Sequence, residues 1–453
     1  MQGTSDAMLM DEEEEEIVDM GDSGPQKPNA PIGEQLRVEA SKAAYYEIIP
    51  STLALHPCPI HCVATTKNMK WMFTGGEDGY IRKYDFMRSI NGDHNLTAAQ
   101  RHGLVDSIQN AGTMVSAWEV EEVPLDAQPS ITGLTPEATA TIPSPAKISQ
   151  IYCIAVQSEA HFLLAGCESG NINLYTVRHD EGVCQHVLRR HDKPVSVLTL
   201  AGDERSVMSG SWDRKYIRWD LETGAIVREF APLNTHITAI KFKPDGGYAE
   251  EPYYSGNGGV EDIAFVLSFD GKGSVVDHRD PAGIVKSVGC ENGVPPWGIS
   301  ACWSADGKRV YIGRRNGSVD EWDYAEGRII QNFRLPRDSG PVTAVQCMPN
   351  GRHVACASYD NIRLWDLNYT VPASDTTMAD NGSAGAAPSG ALNEFDPLQP
   401  LVPFSIISGH HGGTISALAL DWSSKYFISV SGNRGWDGNS NNLCLLYSVK
   451  SNN

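Results

Sequence analysis

The stretch ISACWSADGKRVYIGRRNGSVDEWD, residues 299–323, decides the fold. Its apolar residues alternate with polar ones around two turn signals, Asp-Gly at 306–307 and Asn-Gly at 316–317. Such pairs favour tight hairpins because these turns need positive φ at their central residues. The stretch therefore predicts three consecutive antiparallel strands, the third ending in Trp322 and Asp323.

The same pattern recurs along the chain. Residues 342–366, VTAVQCMPNGRHVACASYDNIRLWD, repeat it and end in Trp365 and Asp366, 43 residues after Trp322 and Asp323. A propeller blade of four antiparallel strands that ends in Trp-Asp takes about 40–45 residues. Stronger and weaker copies give seven closing positions: Tyr84, Tyr175, Trp219, Val276, Trp322, Trp365 and Tyr447. The sequence thus predicts an all-β, seven-bladed WD-repeat β-propeller.

The chain divides into a tail and the propeller. We expect residues 1–40 to form a disordered acidic tail and residues 41–453 to form the seven blades. The segment Tyr45–Leu55 resembles an outer strand, and residues 401–411 look like its counterpart. We predict that this N-terminal strand completes the last blade, because ring closure hides a sheet edge that would otherwise invite aggregation.

Two segments are too long for ordinary connections. Residues 86–149 are predicted to be an insertion between blades 1 and 2, in which residues 96–112 form a short amphipathic helix. This insertion either packs on the side of the propeller or docks a partner, and Trp118 within it needs an apolar contact. Residues 368–400 are small and polar, and they predict a flexible insertion between blades 6 and 7.

Blade 3 has the fullest polar set, comprising His191, Ser209, Asp213 and Trp219. We interpret it as a structural hydrogen-bonded chain, because buried polar groups must be paired. A catalytic triad is disfavoured because nothing around Ser209 resembles a nucleophile elbow. Glycine-rich pieces such as GGEDG match no phosphate-binding fingerprint. We therefore expect no enzyme activity, no cofactor and no small-molecule substrate.

Composition limits the compartment and the partners. Hydrophobic residues make up 41% and charged residues 20%, as in a globular strand-rich protein. No apolar run approaches the roughly 18–20 residues that span a bilayer, and the N-terminus lacks the order of a signal peptide. A nuclear or cytosolic site without a membrane partner follows. The cluster His56, Cys58, His61 and Cys62 carries metal-ligand types, but its spacing is not that of a zinc site, so no metal is expected.

The net charge of −20 is unevenly distributed. Residues 1–26 contain nine acidic residues and no Lys or Arg. We call residues 1–26 the acidic arm; it includes Asp11, Glu12, Glu13, Glu14, Glu15, Glu16 and Asp19. The arm either only solubilises the chain or attracts a basic partner. Direct binding of nucleic acid is disfavoured by the overall sign of the charge.

One face of a propeller is built from loops between strands of different blades. The residue before each turn Asp or Asn is expected to project onto this face, and these positions hold Glu77, Trp212, Phe269, Arg315 and Tyr359. Aromatic residues and Arg dominate interface hot spots, so we predict partner binding there, with Trp436 and Trp118 as further candidates. The alternative is that these rings pack against neighbouring loops.

A family resemblance adds to these inferences. Residues 56–92, HPCPIHCVATTKNMKWMFTGGEDGYIRKYDFMRSING, and 96–119, LTAAQRHGLVDSIQNAGTMVSAWE, resemble the WD-repeat subunit of the fungal SAGA coactivator that associates with TATA-binding protein. The blade SGSWDRKYIRWDLETG and the acidic N-terminus are also similar. The resemblance implies a nuclear, non-enzymatic subunit that binds TATA-binding protein and other SAGA-like subunits and regulates delivery of TATA-binding protein to promoters.

Two other interaction roles compete with this one. A WD-repeat substrate receptor of a ubiquitin ligase would need an adaptor-docking domain, for which the short N-terminal extension has no room. A histone-peptide reader would need an acidic pocket at the central channel, to which Glu77, Asp78 and Asp320 could contribute. Both remain alternatives on the sequence alone.

Overall fold

The computed structural model describes residues 32–122, 147–244, 263–280, 283–289, 296–336, 338–359, 361–368, 402–433 and 440–452. They form a ring of seven antiparallel sheets, which confirms the predicted seven-bladed propeller. All seven predicted closing aromatic or Val positions lie on the third strand of a blade. Among these residues no helix has the length and apolarity needed to cross a membrane.

The chain enters through a helix and one long strand, α1 (Ile32–Lys42) and β1 (Tyr45–Leu55). Blade 1 follows with β2 (Ile60–Thr65), β3 (Trp71–Gly76) and β4 (Tyr80–Asp85). The next elements are α2 (Phe86–Asn91), α3 (Ala98–Arg101), β5 (Asn110–Ala111) and β6 (Thr113–Glu119). Blade 2 comprises β7 (Ile151–Val156), β8 (Phe162–Cys167), β9 (Ile172–Thr176) and β10 (Cys184–Leu188).

Blades 3, 4 and 5 are regular and consecutive. Blade 3 comprises β11 (Val195–Leu200), β12 (Ser206–Ser211), β13 (Tyr216–Asp220) and β14 (Ile226–Glu229). Blade 4 comprises β15 (Ile237–Phe242), β16 (Ile263–Ser268), β17 (Gly273–Asp277) and β18 (Ile284–Val288). Blade 5 comprises β19 (Gly298–Trp303), β20 (Arg309–Arg314), β21 (Ser318–Asp323) and β22 (Ile329–Arg334).

The last two blades carry the irregularities. Blade 6 comprises β23 (Ala344–Cys347), β24 (His353–Ala357), β25 (Ile362–Asp366) and β26 (Phe404–Ile407). Blade 7 comprises β27 (Ile415–Leu420), β28 (Tyr426–Ser431) and β29 (Leu443–Asn452), and β1 is its outer strand. The β1–β29 ladder is antiparallel and runs from the pair Tyr45–Asn452 to the pair Leu55–Leu443. The predicted N-terminal closure is therefore present.

The hydrophobic core lies between neighbouring blades. One buried cluster, for example, joins Phe265 and Val275 of blade 4 to Trp303 and Trp322 of blade 5. The predicted Asp-Gly turn of blade 5 has its glycine, Gly307, at φ +66°, the left-handed value that this turn requires. Each sheet therefore buries both faces against its neighbours, while the loops form the two open faces of the ring.

The placement of both predicted insertions needs a partial correction: residues 86–112 and 368–400 lie inside a blade, whereas residues 120–149 lie between blades 1 and 2 as predicted. β6, within 86–149, pairs antiparallel with β4 and is the outer strand of blade 1. β26 pairs antiparallel with β25 and is the outer strand of blade 6, so the 368–400 insertion also separates a third strand from a fourth. The closing Trp-Asp or Tyr-Asp pair marks the third strand of a blade. In blades 1 and 6 the fourth strand follows only after a long insertion. Residues 369–400 lie outside the described residues.

The predicted amphipathic helix at 96–112 is only one turn long. α3 begins with a capping box between Thr97 and Gln100, and Gly103 at φ +82° follows its end. A left-handed glycine is a common helix terminator. Beyond it, Ile108 is buried and β5 pairs parallel with β1 instead of continuing a helix.

The boundary of the predicted disordered tail also needs correction. Residues 32–40 belong to α1, whose Ala40 is 1% exposed and accepts a hydrogen bond from the Tyr46 hydroxyl. The side chain of Arg37 lies 5.5 Å from the ring centroid of Trp422, a residue of the β27–β28 turn. These contacts fix the helix to the propeller, so residues 32–40 are not a free tail. The acidic arm lies outside the described residues.

Candidate protein-interaction face

The antiparallel strand order gives the ring two distinct faces. One face is formed by the loops that lead into the first, inner strand of each blade and by the turns between the second and third strands. We call it the top face. The turns between first and second strands lie on the opposite, bottom face. α1 contacts Trp422 in such a turn, so α1 lies on the bottom face.

The five predicted rim residues occupy equivalent positions on the top face. In each, the backbone N–H donates to a carbonyl of the loop that enters the same blade. The donor–acceptor pairs are Glu77 to Pro59 (3.1 Å), Trp212 to Pro194 (3.0 Å), Phe269 to His236 (2.9 Å), Arg315 to Trp297 (2.9 Å) and Tyr359 to Ser339 (3.3 Å). This repeated hydrogen bond fixes the backbone at each of the five positions. A backbone that is already fixed lowers the entropy cost of ordering these side chains when a partner binds.

A bulge at the start of the inner strands adds a second set of residues. The ladder between first and second strands shifts register at this point in every blade except blade 6, for example between Ile151 and Cys153. A bulge re-aims one side chain out of the regular alternation. In blade 2 this residue is Tyr152, whose ring centroid lies 5.3 Å from that of Trp212.

The rings of blades 2 to 5 form a continuous series that we call the aromatic arc: Tyr152, Trp212, His236, Phe269 and Trp297. Successive ring centroids are 5.3, 6.0, 4.3 and 4.5 Å apart. Three of these distances lie within the range of about 4.5–7 Å that favours aromatic contacts, and His236 stacks on Phe269 slightly closer. Arg315 ends the arc, with its guanidinium carbon 4.3 Å from the Trp297 ring centroid, as in a cation–π contact.

Sequence reasoning identified only part of this arc. Trp212 and Phe269 were expected, but Tyr152, His236 and Trp297 were missed. His236 and Trp297 immediately precede the inner strands β15 and β19, and Tyr152 is the second residue of β7. A sequence signal for these residues exists. Each has a ring side chain within one position of the start of the first strand of its blade, and each contacts the turn residue of the same blade or of the next blade.

The other predicted contact residues lie apart from the arc. Glu77 is exposed in blade 1, and Tyr359 in blade 6 packs on the loop containing Gly340, where an added Cβ would lie 2.4 Å from the Tyr359 ring. Trp118 lies on β6 between blades 1 and 2, with ring centroids 6.3 Å from Tyr175 and 6.4 Å from Phe73. Trp118 therefore packs within the molecule, away from the top-face rim. Trp436 lies outside the described residues.

The blade 3 polar set forms the expected chain. His191 lies 2.9 Å from Asp213 through Nδ1 and 2.8 Å from the Ser209 hydroxyl through Nε2, and the Trp219 indole donates to the same hydroxyl at 2.8 Å. Burial alone would raise the pKa of Asp213, but hydrogen bonds from His191 and a backbone N–H outweigh it and lower that pKa. Ser209 is 0% exposed, so no substrate could reach its hydroxyl, and the chain is structural.

Blades 1 and 7 carry reduced versions of this chain, in which Tyr replaces Trp. His56 lies 2.9 Å from Thr74 and 3.2 Å from the Tyr84 hydroxyl. His410 lies 2.6 Å from the Ser429 hydroxyl, which lies 3.1 Å from Tyr447. Burial lowers the pKa of His56 to about 4 and that of His410 to about 3, so both imidazoles are neutral at pH 7.

The His and Cys residues near the start of blade 1 have separate partners. His56 belongs to the blade 1 chain, His61 stacks on Tyr152 at 5.3 Å, and the Cys62 thiol donates to the Gly75 carbonyl. Across the described ranges, no group of three or more His, Cys, Asp or Glu residues is arranged to hold a metal ion. The arrangement around blade 1 thus serves packing and strand connection.

The carboxylates of a possible histone-reading pocket do not converge. Asp320 lies in blade 5, is 6% exposed and accepts two hydrogen bonds from fully buried Arg314, at 2.6 and 2.8 Å. Asp78 lies in blade 1 and pairs with Arg82. Only Glu77 of the three is exposed. Asp320 and Asp78 are thus held by arginines within their own blades, and these three carboxylates do not by themselves make the acidic pocket that this alternative requires.

The charges of the top face are divided into two sectors. In the described loops and turns of blades 3–5 we count seven basic residues, Arg189, Arg190, Lys193, Arg214, Lys215, Lys272 and Arg315, against three acidic ones, Asp192, Asp213 and Asp270. We call this the basic sector. The described loops and turns of blades 6, 7, 1 and 2 reverse the balance. They hold six acidic residues, Glu77, Asp78, Glu121, Glu122, Glu168 and Asp338, and one basic residue, Lys147, and we call them the acidic sector.

With this geometry established, the sequence relatives identify the family. A family model described as SPT8 beta propeller matches residues 46–246, 260–380 and 393–450. The chain belongs to the SPT8 beta-propeller family. It is 34% identical over 480 residues to SAGA complex subunit Spt8 of Schizosaccharomyces pombe, covering 92% of this chain and 82% of that protein.

Two further relatives show how far this similarity extends. SAGA complex subunit SPT8 of Saccharomyces cerevisiae is 34% identical over 469 residues, covering 90% of this chain and 73% of that protein. Periodic tryptophan protein 2 homolog of S. pombe is 26% identical over 218 residues and covers only 47% of this chain. Similarity to the SPT8 family thus spans the whole ring, whereas the third match spans about half of it.

Proposed function

We propose that the chain is a non-enzymatic, nuclear subunit of a SAGA-like transcriptional coactivator. The observation that carries this proposal is its similarity, over 90% or more of its length, to two proteins named as SAGA complex subunits. The architecture supports a scaffold role, because the one Ser-His-Asp grouping of the described residues that could suggest catalysis is buried within blade 3. The loop faces and the exposed outer strands are the surfaces that other subunits could contact.

The proposed partner within this function is TATA-binding protein, whose delivery to promoters the chain would regulate. Proteins that bind DNA present Lys and Arg to the phosphate backbone. The acidic sector and the acidic arm offer the complementary charge, and electrostatic complementarity raises the rate of encounter. Of the predicted contact residues, Glu77 and Tyr359 lie in this sector. Basic residues surround Trp212, Phe269 and Arg315, so we assign those three a lesser part in binding TATA-binding protein.

The test is a salt-titrated binding assay between the full chain and TATA-binding protein. We compare the wild type with a deletion of residues 1–26 and with the double variant Glu77→Lys/Tyr359→Ala. Both changes should weaken saturable binding, and the deletion should also reduce the salt dependence, because fewer charge pairs remain to be screened.

The matched control is Trp212→Ala, a change at the equivalent backbone position in the basic sector. It should leave affinity for TATA-binding protein within about twofold of the wild type. Absence of binding to the wild type would contradict this partner assignment. Association with the coactivator core would then be tested separately by co-purification.

A further inference from the structure

We propose that the basic sector and the aromatic arc together bind a short acidic peptide that carries one or two large apolar side chains. The peptide would come from another protein, and its site would be distinct from the surface proposed for TATA-binding protein. Three observations carry this inference: an apolar depression, cations beside Trp212 and beside Trp297, and a charge balance opposite to that of the whole chain.

The apolar part of the site is a depression at the mouth of the central channel. It is lined by Tyr152, Trp212, Phe269 and Ile299, and Ser196 and Thr238 add hydroxyl groups. Trp297 continues the arc with 41% of its surface exposed. Partly exposed aromatic rings held in mutual contact are typical of interface hot spots, because they bury large area at low entropic cost.

The charged part of the site flanks these rings on two sides. A cavity of about 550 Å³ beside Trp212 is lined by Lys193, Arg214 and Lys215. At the other end, Lys272 is exposed in the turn that contains Phe269, and exposed Arg315 stacks on Trp297. The depression holds only about 30 Å³, so a large apolar side chain would lie over the rings, with the residues on either side of it near these cations.

The acidic residues of the basic sector are largely engaged within the fold. Asp213 lies 2.9 Å from His191 and accepts the Lys215 N–H at 2.9 Å, and Asp270 accepts the Ser268 hydroxyl at 2.5 Å. Asp192 is exposed, 3.8 Å from Lys215. An approaching carboxylate thus meets a net positive surface on a chain whose net charge is −20.

The same charges favour a short peptide over other anionic partners. Duplex DNA is an extended polyanion, and its backbone would run from the basic sector into the acidic sector of the same face. The acidic arm of the same chain leads into α1, which packs on the bottom face beside Trp422. A short separate peptide that lies along Tyr152, Trp212, Phe269 and Trp297 need not cross the acidic sector, and deletion of residues 1–26 tests whether the arm occupies the site instead.

The test uses the full chain and a fluorescein-labelled peptide of about twelve residues in which Asp and Glu alternate with Phe and Leu. Fluorescence anisotropy should show saturable binding that weakens between about 50 and 300 mM salt. Lys193→Glu/Arg214→Glu/Lys272→Glu should weaken binding about tenfold or more, and Trp297→Ala about fivefold. Both sets of side chains are exposed, so folding should survive, and thermal unfolding checks that it does.

The matched control reverses two charges on the bottom face, Lys308→Glu/Arg328→Glu. These side chains are 76% and 67% exposed in the same propeller, and their reversal should leave binding unchanged. Equal weakening by both sets of charge reversals would overturn the proposal, as would absence of binding to the wild type.

Three further outcomes would also overturn it. Equal affinity for a peptide with Ser in place of Phe and Leu would indicate a simple anion-binding surface. A tighter complex after deletion of residues 1–26 would indicate that the chain's own arm occupies the site. Displacement of the peptide by a short DNA duplex of similar affinity would indicate a nucleic-acid site.

Discussion

The basic and acidic sectors of the top face are built from equivalent turns but differ in which charges are buried. In blade 5 the buried Arg314 holds Asp320 inside, so the cation that reaches solvent is Arg315. In blade 1 the inward residues are the cations: Lys83 is 2% exposed and Arg82 9%, whereas Glu77 is exposed. In both blades the exposed charge, Arg315 or Glu77, lies outside the ion pair that its neighbours form, so the comparison teaches that surface charge is set by the residues that these pairs leave out.

The largest expected effect comes from breaking a buried pair beneath the basic sector. Asp320→Ala removes both hydrogen bonds to the Asp320 carboxylate that hold the fully buried Arg314 guanidinium. An uncompensated buried charge should lower the free energy of unfolding by about 3–5 kcal/mol. Chemical denaturation measures this loss. The exposed pair Glu326–Arg328 is the control, and Glu326→Ala should cost under about 1 kcal/mol. Equal losses would show that burial does not distinguish the two pairs.

The next effect is a pH dependence to which buried imidazoles of blades 1, 4 and 7 contribute. The folded-state pKa values of His56 and His410, about 4 and about 3, lie below the usual 6.5, so the unfolded chain binds protons first as pH falls. Stability is therefore complete above pH 6.5 and declines as pH drops towards these folded values, by about 1.4 kcal/mol per pH unit for each imidazole.

Urea unfolding at about pH 7.5, 6 and 5 measures this slope. His410→Asn should reduce the slope of stability against pH by the contribution of one imidazole. The same change at the exposed neighbour His411 should leave the slope unchanged. An unchanged slope in His410→Asn would refute the assignment of the acid sensitivity to this residue.

A smaller difference is expected between the polar chains of blades 3 and 7. Ser209→Ala leaves the Trp219 indole N–H and His191 Nε2 without their partner, at a cost of about 1–3 kcal/mol. Ser429→Ala should cost more, because His410 loses its Nε2 partner while its buried Nδ1 already has none, whereas His191 keeps its contact with Asp213. Thermal or urea unfolding of both variants gives the ranking, and a larger loss for Ser209→Ala would contradict this reasoning.

The smallest effects should separate the two proposed partners. Glu77→Lys and Arg315→Glu change exposed charges, so each should alter the free energy of unfolding by less than about 0.5 kcal/mol. Glu77→Lys should weaken binding of TATA-binding protein about threefold and spare the acidic peptide, and Arg315→Glu should do the opposite. Anisotropy titrations with both ligands decide this. If either variant weakens both ligands equally, the top face is one site and not two.

Much of the fold followed from local patterns in the sequence. The third strand of every blade carries a closing residue of the repeat, and the Asn-Gly and Asp-Gly pairs predict hairpin turns, so the number of blades could be predicted. The fourth strands were harder to place. β6 and β26 follow long insertions and lack an ending signature, so residues 86–112 and 368–400 were assigned between blades instead of within them.

The candidate site was predictable only in part for a related reason. Turn positions repeat with the blades, which located Trp212, Phe269 and Arg315. The neighbours that join them depend on bulges and on contacts between different blades, as with Tyr152 and Trp212. The net charge of the whole chain did not predict the local charge of the candidate site. A net of −20 suggests an acidic surface, but pairing inside the blades leaves a basic sector exposed.

The pairing of β1 with β29 has a consequence for synthesis. β29 supplies the partner for β1 and is made almost four hundred residues after it. At the usual translation rate of about 5–20 residues per second, β1 waits tens of seconds with one edge unpaired. A nascent chain is therefore exposed to edge-to-edge misassembly until the ring closes, and we expect it to depend on chaperones during that interval.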